Sequence, residues 1–352
     1  MAAARTIVFA GLGQMGERMV TNLATRNIVG SLAGAAGLTI ILLDVDKAKQ
    51  QAIHTKLSLL ASASPNSNTT IHAGDSWQNI VNRYSYDTVI TMLPNGDAVL
   101  KNADDLLTAE SKRDHQLKAS PLDLVIDCST TGPKDAQILE QTFKSQLEHV
   151  QVVDAPVSGG IRAAEEATLT FMVGGSPQGF QKASPVLERM GKKLVHCGAT
   201  GTGQSTKLCN NLLLGITMAA VCESFSLGKK LGLDPNVLSQ VINESSGRCW
   251  VTTSYSPVPG VMKAVPSERE YQGGFASKLM AKDLRLALQT SSDRGANLPL
   301  TELALEMYTE LERQHPTKDF GALYKHIYTK QNHERSLESP FSESNAKQGT
   351  RG

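Results

Sequence analysis

Two short stretches of this 352-residue chain carry residues whose type and spacing could do chemistry. The first is Gly11-Leu12-Gly13-Gln14-Met15-Gly16, a GxGxxG run that follows the strand-like segment Thr6 to Ala10 and precedes helical spacing. In that setting the first glycine makes a tight turn and the second lets a pyrophosphate approach the backbone. The third lets helix and strand pack closely, with the helix N-terminus facing the phosphates. Such a loop needs an acidic residue at the end of the second strand to accept from the adenosine ribose hydroxyls, and Asp44, closing Ile40-Ile41-Leu42-Leu43-Asp44, fills that place. It lies further past the last glycine than the usual ~20 residues, and an insertion at Ile28 to Gly37 accounts for the excess. A carboxylate there repels a 2′-phosphate and no arginine follows it, so NAD is expected over NADP.

The second stretch runs from Gly201 to Asn211 and contains Lys207, at the head of a segment to Leu231 with small and apolar residues on nearly every face. A lysine buried there loses hydration, which disfavours its charged form and moves it toward the range useful for proton transfer. The plain alternative is a lysine that reaches the surface along its own stem. Asn211, four residues on, shares its helical face. Three further segments follow strand-like runs: Met92-Leu93-Pro94-Asn95, Asp127-Cys128-Ser129-Thr130-Thr131 and Ala155-Pro156-Val157-Ser158-Gly159-Gly160. Ligands bind outside the carboxyl ends of parallel strands, so these segments should line one crevice with the glycine loop. Ser129 and the amides at Gly159 and Gly160 offer donors for a substrate carboxylate. Taken alone, each is a plain turn, Lys282-Asp283 reads as a surface pair, and His196 reads as structural.

The elements that must position these residues are legible in the apolar periodicity. Short apolar runs at Thr6 to Ala10, Leu38 to Asp44, Thr88 to Leu93, Asp123 to Asp127, Val150 to Asp154, Leu169 to Val173 and Lys193 to His196 alternate with helical stretches. That is the pattern of an α/β, Rossmann-type, mostly parallel sheet. Beyond Gly203 strand signals nearly vanish, and Lys207 to Leu231, Pro235 to Glu244, Ala276 to Ser292 and Pro299 to Gln314 have helical spacing. We therefore expect a dinucleotide-binding domain over 1–197, an all-helical domain over 198–332 and a disordered tail from His333 to Gly352. Trp250 to Phe275 reads as a long ordered loop, and Leu107 to Pro121 as a second insertion.

Composition narrows the rest. Lys plus Arg number 35 against 34 acidic residues, a net charge of +1, so no basic field for nucleic acid or an anionic membrane is expected. The longest contiguous apolar runs fall far short of the ~18 residues of a spanning helix, and no membrane segment is expected. Five irregularly spaced cysteines suggest reduced thiols and no metal site. Only Met1 to Arg5 precede the first strand-like run, so neither a secretory signal nor a long Arg- and Ser-rich transit peptide is expected.

The segments GLGQMG, DCSTTGP, DAPVSGGIRAAEEATLTFMVGG, GATGTGQSTKLCNN and LMAKDLRLAL, in that order, resemble the β-hydroxyacid dehydrogenase family over essentially the whole chain. The loop PVPGVMKAVPSEREYQGGF is similar to that of the subgroup acting on 3-hydroxyisobutyrate. The resemblance implies NAD-dependent, reversible oxidation of a primary alcohol on a small hydroxyacid, with Lys207 as catalytic lysine and Asn211 orienting the substrate. It implies that Ser129, Gly159 and Gly160 hold the carboxylate and that Leu93, Pro94, Thr130 and Lys282 touch the cofactor. It also implies a homo-oligomer, dimer or tetramer, in the mitochondrial matrix of a eukaryote or the cytoplasm of a bacterium. An ammonium can stabilise the developing alkoxide, so no metal is needed. A related activity, such as tartronate semialdehyde reduction, and a non-catalytic dinucleotide-binding protein remain as alternatives.

Overall fold

Along β1 (Arg5–Ala10) successive side chains leave opposite faces of the strand, and both faces are apolar. Ile7 and Phe9 enter one hydrophobic cluster, Val8 and Ala10 another, and in β2 (Leu38–Leu43) Ile40 and Leu42 separate from Ile41 and Leu43 in the same way. A sheet buried on both faces needs helices on both, which is the physical reason for its parallel, crossover-linked build. The computed structural model describes residues 5–26, 37–63, 68–113 and 122–328. Apart from Gly37, the insertion expected at Ile28 to Gly37 lies outside the described residues, as do 114–121 and the expected tail.

The chain divides into two compact units, Met1–Asn210 and Asn211–Gly352. In the first, β3 (Thr69–Ala73), β4 (Thr88–Thr91), β5 (Leu124–Asp127) and β6 (Gln151–Asp154) join β1 and β2 in the parallel order β3-β2-β1-β4-β5-β6. Beyond them, β8 (Leu169–Gly174) pairs antiparallel with β6 and with the two-residue β7 (Val157–Ser158), and parallel with β9 (Gly191–Gly198). One face is covered by α1 (Gln14–Thr25), α2 (Lys47–Ala63) and α7 (Pro177–Leu187), through residues such as Met19, Leu57 and Val186. The other is covered by α3 (Trp77–Arg83), α4 (Gly96–Ser111) and α5 (Pro133–Gln146), through Ile80, Leu106 and Phe143. A short α6 (Gly160–Glu165) follows β7. Two expectations need correction. Leu107 to Ser111 is the last turn of α4, with Leu107 and Ala109 buried, rather than the start of an insertion. The strand β3 was not anticipated, because only Ile71 of its five residues is buried.

The helix α8 (Thr202–Lys230) begins in the first unit and continues into the second. By length and composition it is apolar enough to cross a membrane, a property hidden by the polar residues that interrupt its contiguous runs. Within the second unit its Met218, Val221, Cys222 and Phe225 enter a core with α11 (Ser277–Ser292) and α12 (Pro299–Gln314). The expected loop at Trp250 to Phe275, after α9 (Pro235–Glu244), contains a helix, α10 (Trp250–Ser254), and a 3-10 turn at Pro266–Arg269. Buried Asp319 holds it, accepting from the Tyr255 hydroxyl at 2.7 Å and from the Phe275 amide at 2.8 Å. No strand occurs among the described residues of this unit, whose one bridge joins Ala276 to Asp319.

Candidate active site

Strand register explains why distant segments converge. Leu43 pairs with Ala10, Ala10 with Thr91, Thr91 with Asp127, and Asp127 with Asp154, one row across five strands. Asp44 and the segments that begin at Gly11, Met92, Cys128 and Ala155 all leave the sheet immediately after this row.

The glycine loop has the shape its sequence implies. Gly11 has φ +96°, and a Cβ there would stand 2.4 Å from the Met92 carbonyl oxygen. A Cβ on Gly16 would lie 2.0 Å from the Gly11 carbonyl oxygen, so the third glycine is what lets α1 sit against the turn. A Cβ on Gly13 would meet nothing within 4 Å. Open space over Gly13, beside the α1 N-terminus, fits a pyrophosphate. Asp44 stands at the same loop, its Oδ2 accepting from the Leu12 amide at 2.6 Å and its Oδ1 from Asp46 at 2.9 Å. The residue after it, Val45, is 99% exposed. This chemistry fits a dinucleotide with Gly11, Leu12, Gly13, Gln14, Met15 and Gly16 at its phosphates and Asp44 at its ribose.

Ser129 is not where the expectation put it. It is fully buried, and its Oγ accepts from the Leu93 amide at 2.8 Å, tying the loop after β5 to the loop after β4. Its own amide donates to Asp127 Oδ1 at 3.1 Å, which also accepts from Thr91 Oγ1 at 2.8 Å. Burial pushes the Asp127 carboxyl up to about 6, against the lowering effect of hydrogen bonds from Ser129 and Thr91. In this arrangement the serine fastens the two loops together. The serine beside the exposed Gly159 and Gly160 is the half-buried Ser158, on β7. Leu93 and Thr130 are half-buried and Pro94 is exposed, each at its strand end.

The start of α8 is built on a buried carboxylate. Asp154 Oδ1 accepts from the Gly201 amide at 2.7 Å and Oδ2 from the Gln204 amide at 2.8 Å, placing a negative charge where the first amides of a helix lack partners. Burial raises the Asp154 pKa, and these amide bonds counteract it. No residue wider than glycine fits at 203, where a Cβ would lie 2.3 Å from the Met172 carbonyl oxygen. Lys207, buried, follows on α8. In the second unit, Asn211 donates through Nδ2 to Asp283 Oδ2 at 2.6 Å, and Lys282 Nζ lies 3.6 Å from Asp283 Oδ1. The Lys282-Asp283 pair is therefore not a plain surface pair, since Asp283 is 3% exposed and orients Asn211. Sequence reasoning missed Gln204, Asp154 and Asp283, and their only signal was a polar residue at an apolar position of its element.

Two family models cover the chain. One, the NAD binding domain of 6-phosphogluconate dehydrogenase, matches residues 6–198, and the other, described as NAD-binding of NADP-dependent 3-hydroxyisobutyrate dehydrogenase, matches 201–327. Mitochondrial 3-hydroxyisobutyrate dehydrogenase of Drosophila melanogaster is 38% identical over 329 residues, covering 91% of this chain and 89% of that one. The 3-hydroxyisobutyrate dehydrogenase of Pseudomonas aeruginosa is 37% identical, covering 91% and 97%. The solved 3-hydroxyisobutyrate dehydrogenase of Mycobacterium tuberculosis, with L-serine, superposes with a TM-score of 0.77 at 34% identity, covering 92% of this chain and 99% of that one. Sheet order, glycine loop and these likenesses agree: the chain belongs to the β-hydroxyacid dehydrogenase family, whose cofactor is a nicotinamide dinucleotide.

Proposed function

We propose that the protein oxidises 3-hydroxyisobutyrate to methylmalonate semialdehyde with NAD, reversibly, a step of valine breakdown. The observation that carries this reading is buried Lys207 near the head of a helix anchored to the ends of β5 and β6. The bound dinucleotide supplies the hydride acceptor. Unprotonated Lys207 Nζ takes the hydroxyl proton as the carbonyl forms and returns it in reduction. Asn211, held by Asp283, orients the hydroxyl. The carboxylate anchor falls on Ser158, Gly159 and Gly160 rather than on Ser129, because Ser129 is fully buried and its oxygen is already engaged. Leu93, Pro94, Thr130 and Lys282 keep the cofactor contacts that family resemblance assigns them, and Asp44 favours NAD over NADP.

Leu213, Ala220 and Leu227 form an exposed stripe on α8 at seven-residue intervals, with exposed Val237 and Val241 on α9. This supports a homo-oligomer, a dimer or tetramer, as the working assembly. The fly relative's name supports a mitochondrial location in a eukaryote; the matrix, and the cytoplasm in a bacterium, rest on the family resemblance.

A panel of 3-hydroxyisobutyrate, L-serine, propanol and, in reduction, tartronate semialdehyde, each with both cofactors, tests the reading. We expect 3-hydroxyisobutyrate with NAD to lead, and Lys207→Ala to lower kcat by roughly 10² while NADH still binds. Tartronate semialdehyde in the lead would move the substrate within the family. Propanol turned over equally well, or a fully active Lys207→Ala, would overturn the mechanism.

A further inference from the structure

Gln204, the third residue of α8, has no solvent exposure and uses both ends of its side-chain amide. Its Nε2 donates to the Ser129 carbonyl at 2.8 Å and its Oε1 accepts from the Thr131 amide at 3.0 Å. The side chain thus pairs with the loop on both sides of Thr130 as a neighbouring strand's peptide group would. Ser129 is itself fastened to Leu93, and the Gln204 backbone amide is fastened to Asp154. We propose that Gln204 is the positioning residue for Lys207: its side-chain amide sets the distance and rotation of the lysine-bearing turn relative to the strand-end loops.

The physical argument is leverage at short range. Lys207 lies three residues further along the helix, about 4.5 Å of axial rise from the clamp. A helix that slides or rotates at its first turn carries the lysine with it, and a misplacement of about 1 Å can cost ~10² in rate. The carboxylate of Asp154 holds the helix end along its axis. The Gln204 side-chain amide, through paired donor and acceptor, resists rotation toward or away from the loop after β5. The proposal rests on Lys207 being the base, as in the functional reading above.

The test compares Gln204→Met, which keeps most of the volume and removes both hydrogen bonds, with Gln204→Glu. A protonated glutamic acid can donate to Ser129 and accept from Thr131 as glutamine does, but an ionised one loses the donor, and burial raises its pKa above the ordinary ~4.3. Activity is measured with whichever hydroxyacid the wild type turns over. We expect Gln204→Met to lower kcat by about tenfold or more at every pH, with KM and the NADH Kd within about threefold of wild type. We expect the kcat of Gln204→Glu, divided by that of wild type, to rise as pH falls from about 9 to 6. A purely structural glutamine would lower the folded fraction and leave the remaining molecules with normal kcat and a flat ratio. Gln204→Met with near-normal kcat, or a pH-independent ratio for Gln204→Glu, would overturn the proposal. If Gln204→Met does not fold, the Gln204→Glu profile decides alone. Failure of the functional reading shows instead in the wild-type panel and in Lys207→Ala.

Discussion

Adding one methyl group at two positions of the same loop should separate folding from cofactor binding. Gly13 precedes α1 with φ −57° and ψ −172°, a conformation open to any L residue, and a Cβ there touches no protein atom within 4 Å. Alanine restricts the unfolded chain, worth about 0.4–1 kcal/mol, against about 0.5–1 kcal/mol lost because alanine is a poorer helix N-cap than glycine. Gly13→Ala should therefore unfold within about 0.5 kcal/mol of wild type. Its methyl group nevertheless occupies the space over the α1 N-terminus where we place the pyrophosphate, and a loss of 1.4 kcal/mol is a tenfold weaker complex. We expect the NADH Kd to rise about tenfold or more. At Gly16 a Cβ would sit 2.0 Å from the Gly11 carbonyl oxygen, a backbone atom that cannot rotate away. Opening that contact to an ordinary separation means moving α1 or the turn by more than 1 Å, so Gly16→Ala should cost about 1–3 kcal/mol of stability as well as cofactor affinity. Urea unfolding and NADH fluorescence titration read the two quantities independently. Gly13→Ala binding NADH as tightly as wild type, or unfolding as easily as Gly16→Ala, would refute the placement of the phosphates.

Two further outcomes follow from the carboxylates. Asp44→Ala should reduce the NAD-to-NADP ratio of kcat/KM by about tenfold, by removing repulsion of the 2′-phosphate together with a ribose acceptor; an unchanged ratio in cofactor kinetics would place the ribose elsewhere. For Asp127, a carboxyl at about 6 in the fold and ~3.9 when unfolded stabilises the fold most below pH 4, and loses that contribution as pH rises toward 7. Two pKa units correspond to about 3 kcal/mol. Asp127→Asn cannot ionise and keeps the Oδ1 acceptor used by Ser129 and Thr91. Wild-type stability relative to that variant should therefore fall by about 3 kcal/mol between pH 4 and 7 and level off above. A pH-independent difference in urea unfolding would contradict the burial argument.

What the amino-acid sequence determined by itself was local and periodic. Seven of the nine strands among the described residues are visible as apolar runs; six of them owe that pattern to burial on one or both faces, as the long helices owe their 3.6-residue spacing, whereas β9 has only Gly191 buried. The glycine loop and Asp44 were legible for a similar reason: each residue type there answers a constraint of its own few atoms. The polar edge strand β3 escaped because an edge buries little and so leaves little pattern. Ser129 and Ser158 look alike in sequence, each a small polar residue within four positions of the apolar run before it. The register of β4 with β5 turns one hydroxyl into the sheet's end to meet Leu93, while the pairing of β7 with β8 leaves the other half-buried beside Gly159. Gln204, Asp154 and Asp283 were silent for the same reason. Their partners Ser129, Gly201 and Asn211 lie 75, 47 and 72 residues away along the chain. A hydrogen bond across that separation is specified by how the strands line up and the helices pack, and a side chain's role in it exists only once those elements are in place.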